Sequence, residues 1–187
     1  MDAKTPSERD RSPIEQLQQE HQAALGAFDA LTDQVAAVTA GATAWEDVSE
    51  HIEPRFHALH ELLLMHFRKE EEGLFAEAVE VAVEESSEAG LVAGFFAEQA
   101  DDDILAHTTL RIQMREMAVL LPDIRETDGA GHRTPGELHD ALLFSRDLLR
   151  RHARKEETVI FPLIERLLTE EQMMAVRRRI AEIIPSA

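Results

Sequence analysis

His66-Phe67-Arg68-Lys69-Glu70-Glu71-Glu72-Gly73-Leu74-Phe75 recurs 86 positions later (152 − 66) as His152-Ala153-Arg154-Lys155-Glu156-Glu157-Thr158-Val159-Ile160-Phe161. Both copies read His-x-Arg-Lys-Glu-Glu, then two residues, then Leu or Ile followed by Phe. Upstream of each copy stands one more histidine, His21 and His107, again 86 apart (107 − 21). The chain therefore reads as two half-domains, each offering a His and then a His-x-x-x-Glu. Together they supply four imidazoles, from His21, His66, His107 and His152, and two carboxylates, from Glu70 and Glu156.

On an α-helix, residues four apart share a face and lie roughly 6 Å from each other. His66 and Glu70 can thus point at one centre, as can His152 and Glu156. A lone His-x-x-x-Glu is weak evidence, because in an acidic chain it arises by accident and means a surface ion pair. Two copies of a longer pattern, with upstream histidines at matched offsets, are harder to explain that way. Four unpartnered histidines in a bundle core are expensive, and metal coordination accounts for keeping them there. Imidazole nitrogen and carboxylate oxygen both suit iron, and the two oxygens of one carboxylate can bridge two ions. Six donors exceed the needs of one tetrahedral zinc. They suit two metals of five or six coordination, with oxo, hydroxo, water or a small ligand in the remaining positions.

The flanking sequence is helical. Ser12-Pro13-Ile14-Glu15 is a helix start, and Ile14, Leu17, His21, Leu25, Phe28, Leu31, Val35 and Val38 then step by three or four until Gly41 closes the run. Thr43-Ala44-Trp45-Glu46 is a second capping-box candidate, and Pro54 either kinks the next helix or restarts it. From Arg55 to about Val83, Phe56, Leu59, Leu63, His66, Glu70 and Leu74 share a face. Glu84 to Gly90 reads as a loop. The third helix is expected over about Leu91 to Leu121, ending at Pro122, with Phe96, Ala100, Asp103, His107, Leu110, Met114, Met117 and Leu121 in phase. Asp123 to Arg133 reads as a mobile connection. Thr134-Pro135-Gly136-Glu137 opens the fourth helix, which carries Leu138, Leu142, Ser145, Leu149, His152 and Glu156, with a kink expected at Pro162. Thr169-Glu170-Glu171-Gln172 caps a short fifth helix bearing Met173, Val176, Ile180 and Ile184. Connections of ordinary length favour antiparallel neighbours and an all-α, up-down-up-down four-helix bundle with this extra C-terminal helix.

The remaining titratable residues take ordinary readings. His57 is out of phase with His66, and His60 is turned by about 120°. His51, His132 and His139 read as surface or loop residues. Glu71 and Glu157 read as solvated or as partners of the ligands, and Glu20 as a surface residue.

Composition narrows the function classes. The chain of 187 residues has no Cys, which excludes disulfides, iron–sulfur clusters and thiolate chemistry. It has no Tyr, which excludes a tyrosyl radical, and its one Trp is Trp45. A formal charge of −18 argues against nucleic acid or an anionic membrane as partner. No apolar run reaches the roughly 20 residues of a membrane span, and the N-terminus lacks a signal-peptide core. A cytoplasmic location is the matching expectation. No histidine is preceded by Glu at three residues, so the Glu-x-x-His pairs of a ferritin-like di-iron oxidase are missing.

The residues now quoted resemble those of the hemerythrin-like, HHE cation-binding family, over about residues 14 to 168. The most specific parts are His66-Phe67-Arg68-Lys69-Glu70-Glu71 with Leu74-Phe75, and His152 with Glu156-Glu157 and Ile160-Phe161-Pro162. The resemblance implies a four-helix bundle over residues 12–187, behind a flexible tail at 1–11, with pseudo-repeats at about 14–83 and 100–168. It implies two non-haem irons, joined by an oxo or hydroxo group, with His21, His66, His107 and His152 as terminal ligands and Glu70 and Glu156 as bridges. The implied partner is a small diatomic ligand or peroxide. There are departures. Arg111 stands where oxygen-carrying relatives place a second third-helix His, and the fourth-helix acid is Glu156 rather than an Asp one residue later. This set is closer to relatives that sense, store or process iron, oxygen, peroxide or nitric oxide. The expected function is binding or sensing of O2 or a related ligand, with a di-iron oxidoreductase as the alternative.

Overall fold

The computed structural model describes residues 12–84, 89–126 and 134–183. In these residues the chain is all-α: α1 (Pro13–Thr39), α2 (Trp45–Arg68), a π-helical segment π1 (Lys69–Phe75), α3 (Ala76–Glu84), α4 (Ala89–Glu126), α5 (Pro135–Lys155), a second π-helical segment π2 (Glu156–Ile160), α6 (Phe161–Leu167) and α7 (Glu170–Glu182). The run α2–π1–α3 is one long rod, and α5–π2–α6 is another. With α1 and α4 these make the four-helix bundle, and α7 is the additional short helix. Residues 1–11, His132 and Ile184 lie outside the described residues.

Local chemistry sets the helix ends. Ser12 and Thr134 each close a reciprocal capping box with Glu15 and Glu137, with Pro at the first helical position. Thr169 does the same with Gln172 for α7. At the end of α1, Gly41 takes φ +70, and the amides of Gly41 and Ala42 donate to the carbonyls of Val38 and Ala37. That is a Schellman stop, which favours glycine because the left-handed conformation penalises a Cβ.

Two expectations need correction, at Thr43 and at Pro122, and the two other prolines take their places in the helices. Thr43 does not cap α2; Ala44 holds the cap position in extended conformation, without a side-chain hydrogen bond. Of the two alternatives at Pro54, the structure takes the single long helix, with Pro54 inside α2. Pro122 does not end α4, which continues to Glu126: Leu121 and Ile124 are both buried and anchor this last turn. Pro162 falls at the start of α6, immediately after π2, where helix geometry is already changing.

The core divides into two apolar clusters. The larger includes Phe28, Leu31, Phe56, Leu63, Phe67, Leu110, Met114, Leu142 and Leu149. The smaller gathers Ile14, Leu17, Leu74, Phe75, Ala78, Ile160, Phe161 and Ile164 with Val176 and Ile180 of α7. Fully burying one such side chain contributes roughly 1.5–3 kcal/mol. Along α1, α2–π1–α3 and α5–π2–α6 alike, the histidines fall between the two clusters, so apolar layers close the centre at both ends. The C-terminal helix packs on the bundle, with Ile180 against Gly73 of π1.

Candidate metal centre

The two π segments begin where the chemistry is. Glu70 is the second residue of π1 and Glu156 the first of π2. The buried series His66, Glu70, Leu74, Ala78 and His152, Glu156, Ile160, Ile164 each advance by three successive steps of four. On an α-helix of 3.6 residues per turn, each such step drifts by about 40°. The wider π turn absorbs that drift and keeps the series facing inward. This run of fours was the sequence signal for a π segment, and reading it as an ordinary helix missed it.

All six predicted donors converge in the middle of the bundle. His21, Glu70, His107 and Glu156 have no exposed surface, and His66 and His152 show 1% and 4%. The two histidines nearest each glutamate come one from each half of the chain, and His21 Nε2 also lies 3.7 Å from Glu70 Oε1. Glu70 Oε1 lies 3.1 Å from His66 Nε2, and Oε2 lies 3.2 Å from His107 Nε2. Glu156 Oε2 lies 3.3 Å from His152 Nε2 and 2.9 Å from His21 Nε2. The halves are thus crossed through the two carboxylates. The groups that can hold an ion are His21, His66, Glu70, His152 and Glu156, and Asp103, His107, His152 and Glu156.

The opposite ring nitrogens face a second set of carboxylates. His66 Nδ1–H donates to Glu20 Oε2 (3.2 Å), His107 Nδ1–H to Glu71 Oε1 (2.7 Å) and His152 Nδ1–H to Asp103 Oδ1 (3.2 Å). His21 Nδ1 faces Glu157 Oε1 at 3.6 Å. An ionised carboxylate only accepts, so these contacts put the proton on Nδ1 and leave the Nε2 lone pair for an ion. Glu20 is held in turn by Gln16 and Lys69. Glu71 is held by both terminal nitrogens of Arg111, at 2.9 and 3.0 Å. Arg111 also lies 5.2 Å over the Phe67 ring, whose other neighbour is the stacked His107 ring at 4.2 Å. Arg111 therefore supports the centre through Glu71. Glu20, expected on the surface, is part of the site because the residue before an inward His can still reach across to the neighbouring helix. Asp103 was in the inward stripe but not among the expected donors.

Electrostatics match a cation site. Burial, joined by the charge of His66, pushes His21 down to about 3. His66 goes the other way, up to about 9: burial opposes the rise, but Glu70 and Glu20 outweigh it. Burial, together with the charges of Glu70 and Asp103, drives Glu156 well above the usual carboxylate range. Glu70 is held well below it by His66 and His107 despite its burial. Among the described residues, the buried polar atoms without a hydrogen bond include His21 Nδ1 and Nε2, His66 Nε2, both carboxylate oxygens of Glu70 and of Glu156, and Asp103 Oδ2. Such orphans are costly without an ion, so this donor set fits metal.

His57 is exposed, and His60 is half-buried against Phe56. Among the described residues, no helix is long and apolar enough to cross a membrane. No family model, curated protein or solved structure matches this chain.

Proposed function

We propose that this bundle, whose two His/carboxylate clusters match the hemerythrin-like HHE dimetal motif, holds two non-haem irons and binds or senses O2 or a related small ligand. His21, His66, His107 and His152 are the terminal ligands, and Glu70 and Glu156 are the bridges. The observation that carries this reading is the crossed geometry, in which each glutamate stands between a His of its own half and a His of the other. Bound iron supplies an electrophilic, one-electron redox centre.

The protein's own residues restrict what reaches that centre. The apolar layers on both sides and the near-complete burial of all six donors exclude bulk water and any large organic substrate. Glu20, Glu71 and Asp103 hold the Nδ1 protons of His66, His107 and His152, so the inward Nε2 is the nitrogen each ring presents to an ion.

The experiment is metal analysis of anaerobically purified protein, followed by absorption spectra with O2 and then peroxide. The expected result is two irons per chain and a charge-transfer band that appears with O2 and reverses on deoxygenation. Two irons with rapid peroxide loss and no reversible band would favour the oxidoreductase. Less than one metal per chain after iron reconstitution, unchanged by His66→Ala, would overturn both.

A further inference from the structure

The 86-residue offset pairs the two halves nearly residue for residue: Glu71 with Glu157, and Glu70 with Glu156. The partner of His152 breaks the rule. His66 Nδ1–H donates to Glu20, one residue before His21. The matching position in the second half is Ala106 (20 + 86), which offers no acceptor. His152 instead donates to Asp103, whose counterpart in the first half is Leu17 (103 − 86), a fully buried apolar residue.

The two acids are also satisfied differently. Both oxygens of Glu20 are occupied, one by His66 and the other by Gln16 and Lys69, so its charge is balanced. Its side chain is 14% exposed. Asp103 is 1% exposed; Oδ1 accepts from His152, and Oδ2 has no N–H donor, the carboxyl lying instead against that of Glu156. Among the described residues no Lys or Arg pairs with Asp103. Its neighbour is instead another buried carboxyl group, that of Glu156. Two buried carboxyl groups in contact, with no described Lys or Arg beside them, form a place where a metal ion can replace a shared proton. It sits four residues before His107 on the inward face of α4, in the group that can hold an ion.

We propose that Asp103 is a direct metal ligand through Oδ2, making the two metal positions unequal. This rests on the dinuclear reading above. One ion is held by His21 and His66, the other by His107, His152 and Asp103, and Glu70 and Glu156 are shared. The Asp103 position has one more donor and one more negative charge, so it binds the tighter and more highly charged ion. The His21/His66 position keeps the open coordination for an incoming ligand.

The test is cobalt(II) titration of metal-free protein, followed by absorption and calorimetry, on wild type, Asp103→Asn, Asp103→Leu and Glu20→Gln. Asn keeps an oxygen that accepts from His152 but removes the anionic donor; Leu copies the first half. Circular dichroism checks the fold. Wild type is expected to take up two cobalt ions in two resolved steps. Both Asp103 variants should lose the tighter step and retain one ion at the same protein concentration. Glu20→Gln should keep two ions, weakened by about 10–100-fold, as for loss of a group that only orients a ligand. If Asp103→Asn also keeps two ions and weakens no more than Glu20→Gln, Asp103 only orients His152 and the proposal falls. If wild type itself takes up fewer than two, the dinuclear reading fails with it.

Discussion

At the scale of the residue, the centre separates groups that face the ions from groups that face the ligands. Glu70 and Glu71 are adjacent, yet Glu70 lies between His66 and His107, and Glu71 lies behind His107 with Arg111. Their substitutions should differ in kind. Glu70→Gln removes a shared anionic donor, and the expected outcome is loss of bound metal by elemental analysis. Glu71→Gln removes the negative charge behind His107 but keeps an accepting oxygen, and is expected to weaken metal binding by about 10–100-fold while leaving two ions at saturation. Equal behaviour of the two variants would contradict this division. Metal uptake should also release protons. His66 lies up at about 9, so at pH 7 the metal-free side chain is protonated and an incoming ion displaces that proton. The check is the pH drop when metal is added to a weakly buffered solution at pH 7, and its absence would contradict the assignment of His66.

At the scale of the element, the π segments and their packing carry the precision of the site. A Cβ at Gly73 would meet Ile180 Cγ1 at 2.8 Å, so α7 approaches π1 only because residue 73 has no side chain. Gly73→Ala is expected to destabilise by about 1–3 kcal/mol, read as a lower denaturation midpoint. Ile180→Ala should cost less in the Gly73→Ala background than in wild type, because it removes the Cγ1 that the new Cβ meets. The helix starts offer a paired check. Thr134 caps α5 through its hydroxyl, so Thr134→Ala should cost about 1 kcal/mol. Thr43 stands one residue before the cap of α2, where Ala44 makes no side-chain bond. Thr43→Ala should therefore leave the thermal midpoint within error of wild type.

At the scale of the whole molecule, the buried donors join the two halves of the chain, so metal and fold stabilise each other. An ion bound only by the folded state stabilises it by RT ln(1 + [L]/Kd), about 2.7 kcal/mol at a hundredfold excess over Kd. Removing metal with a chelator should lower the thermal midpoint, and adding it back should restore it in a concentration-dependent way. Acid should act in the same direction, because protons compete for the same nitrogens and oxygens. Protons compete with the ion at His66 already below about 9 and at His21 only near 3, so metal binding should weaken progressively as pH falls through that range. Metal release followed against pH, beside the unfolding midpoint, checks that the two fall together.

Much of this was legible in the residues themselves. Helical periodicity, three of the four capping boxes, the Gly41 stop and the matched offsets of His21, His66, His107 and His152 are local or repetitive signals, and the structure follows them. The six side chains read as donors meet in one place because i, i+4 spacing on amphipathic helices forces them onto the buried face. Three things required the assembled bundle. The first is the crossing of Glu70 to His107 and of Glu156 to His21, which depends on how the two halves face each other and not on spacing within either. The second is the role of Glu20, which looks like any exposed acid until α2 is laid beside α1. The third is Asp103, an inward polar residue among many in sequence. Its meaning comes from lying against Glu156 in the buried centre, with no Lys or Arg among its described neighbours. Periodicity tells which face of a helix is buried; which buried atoms meet, and which remain without a partner, is decided only when the helices pack.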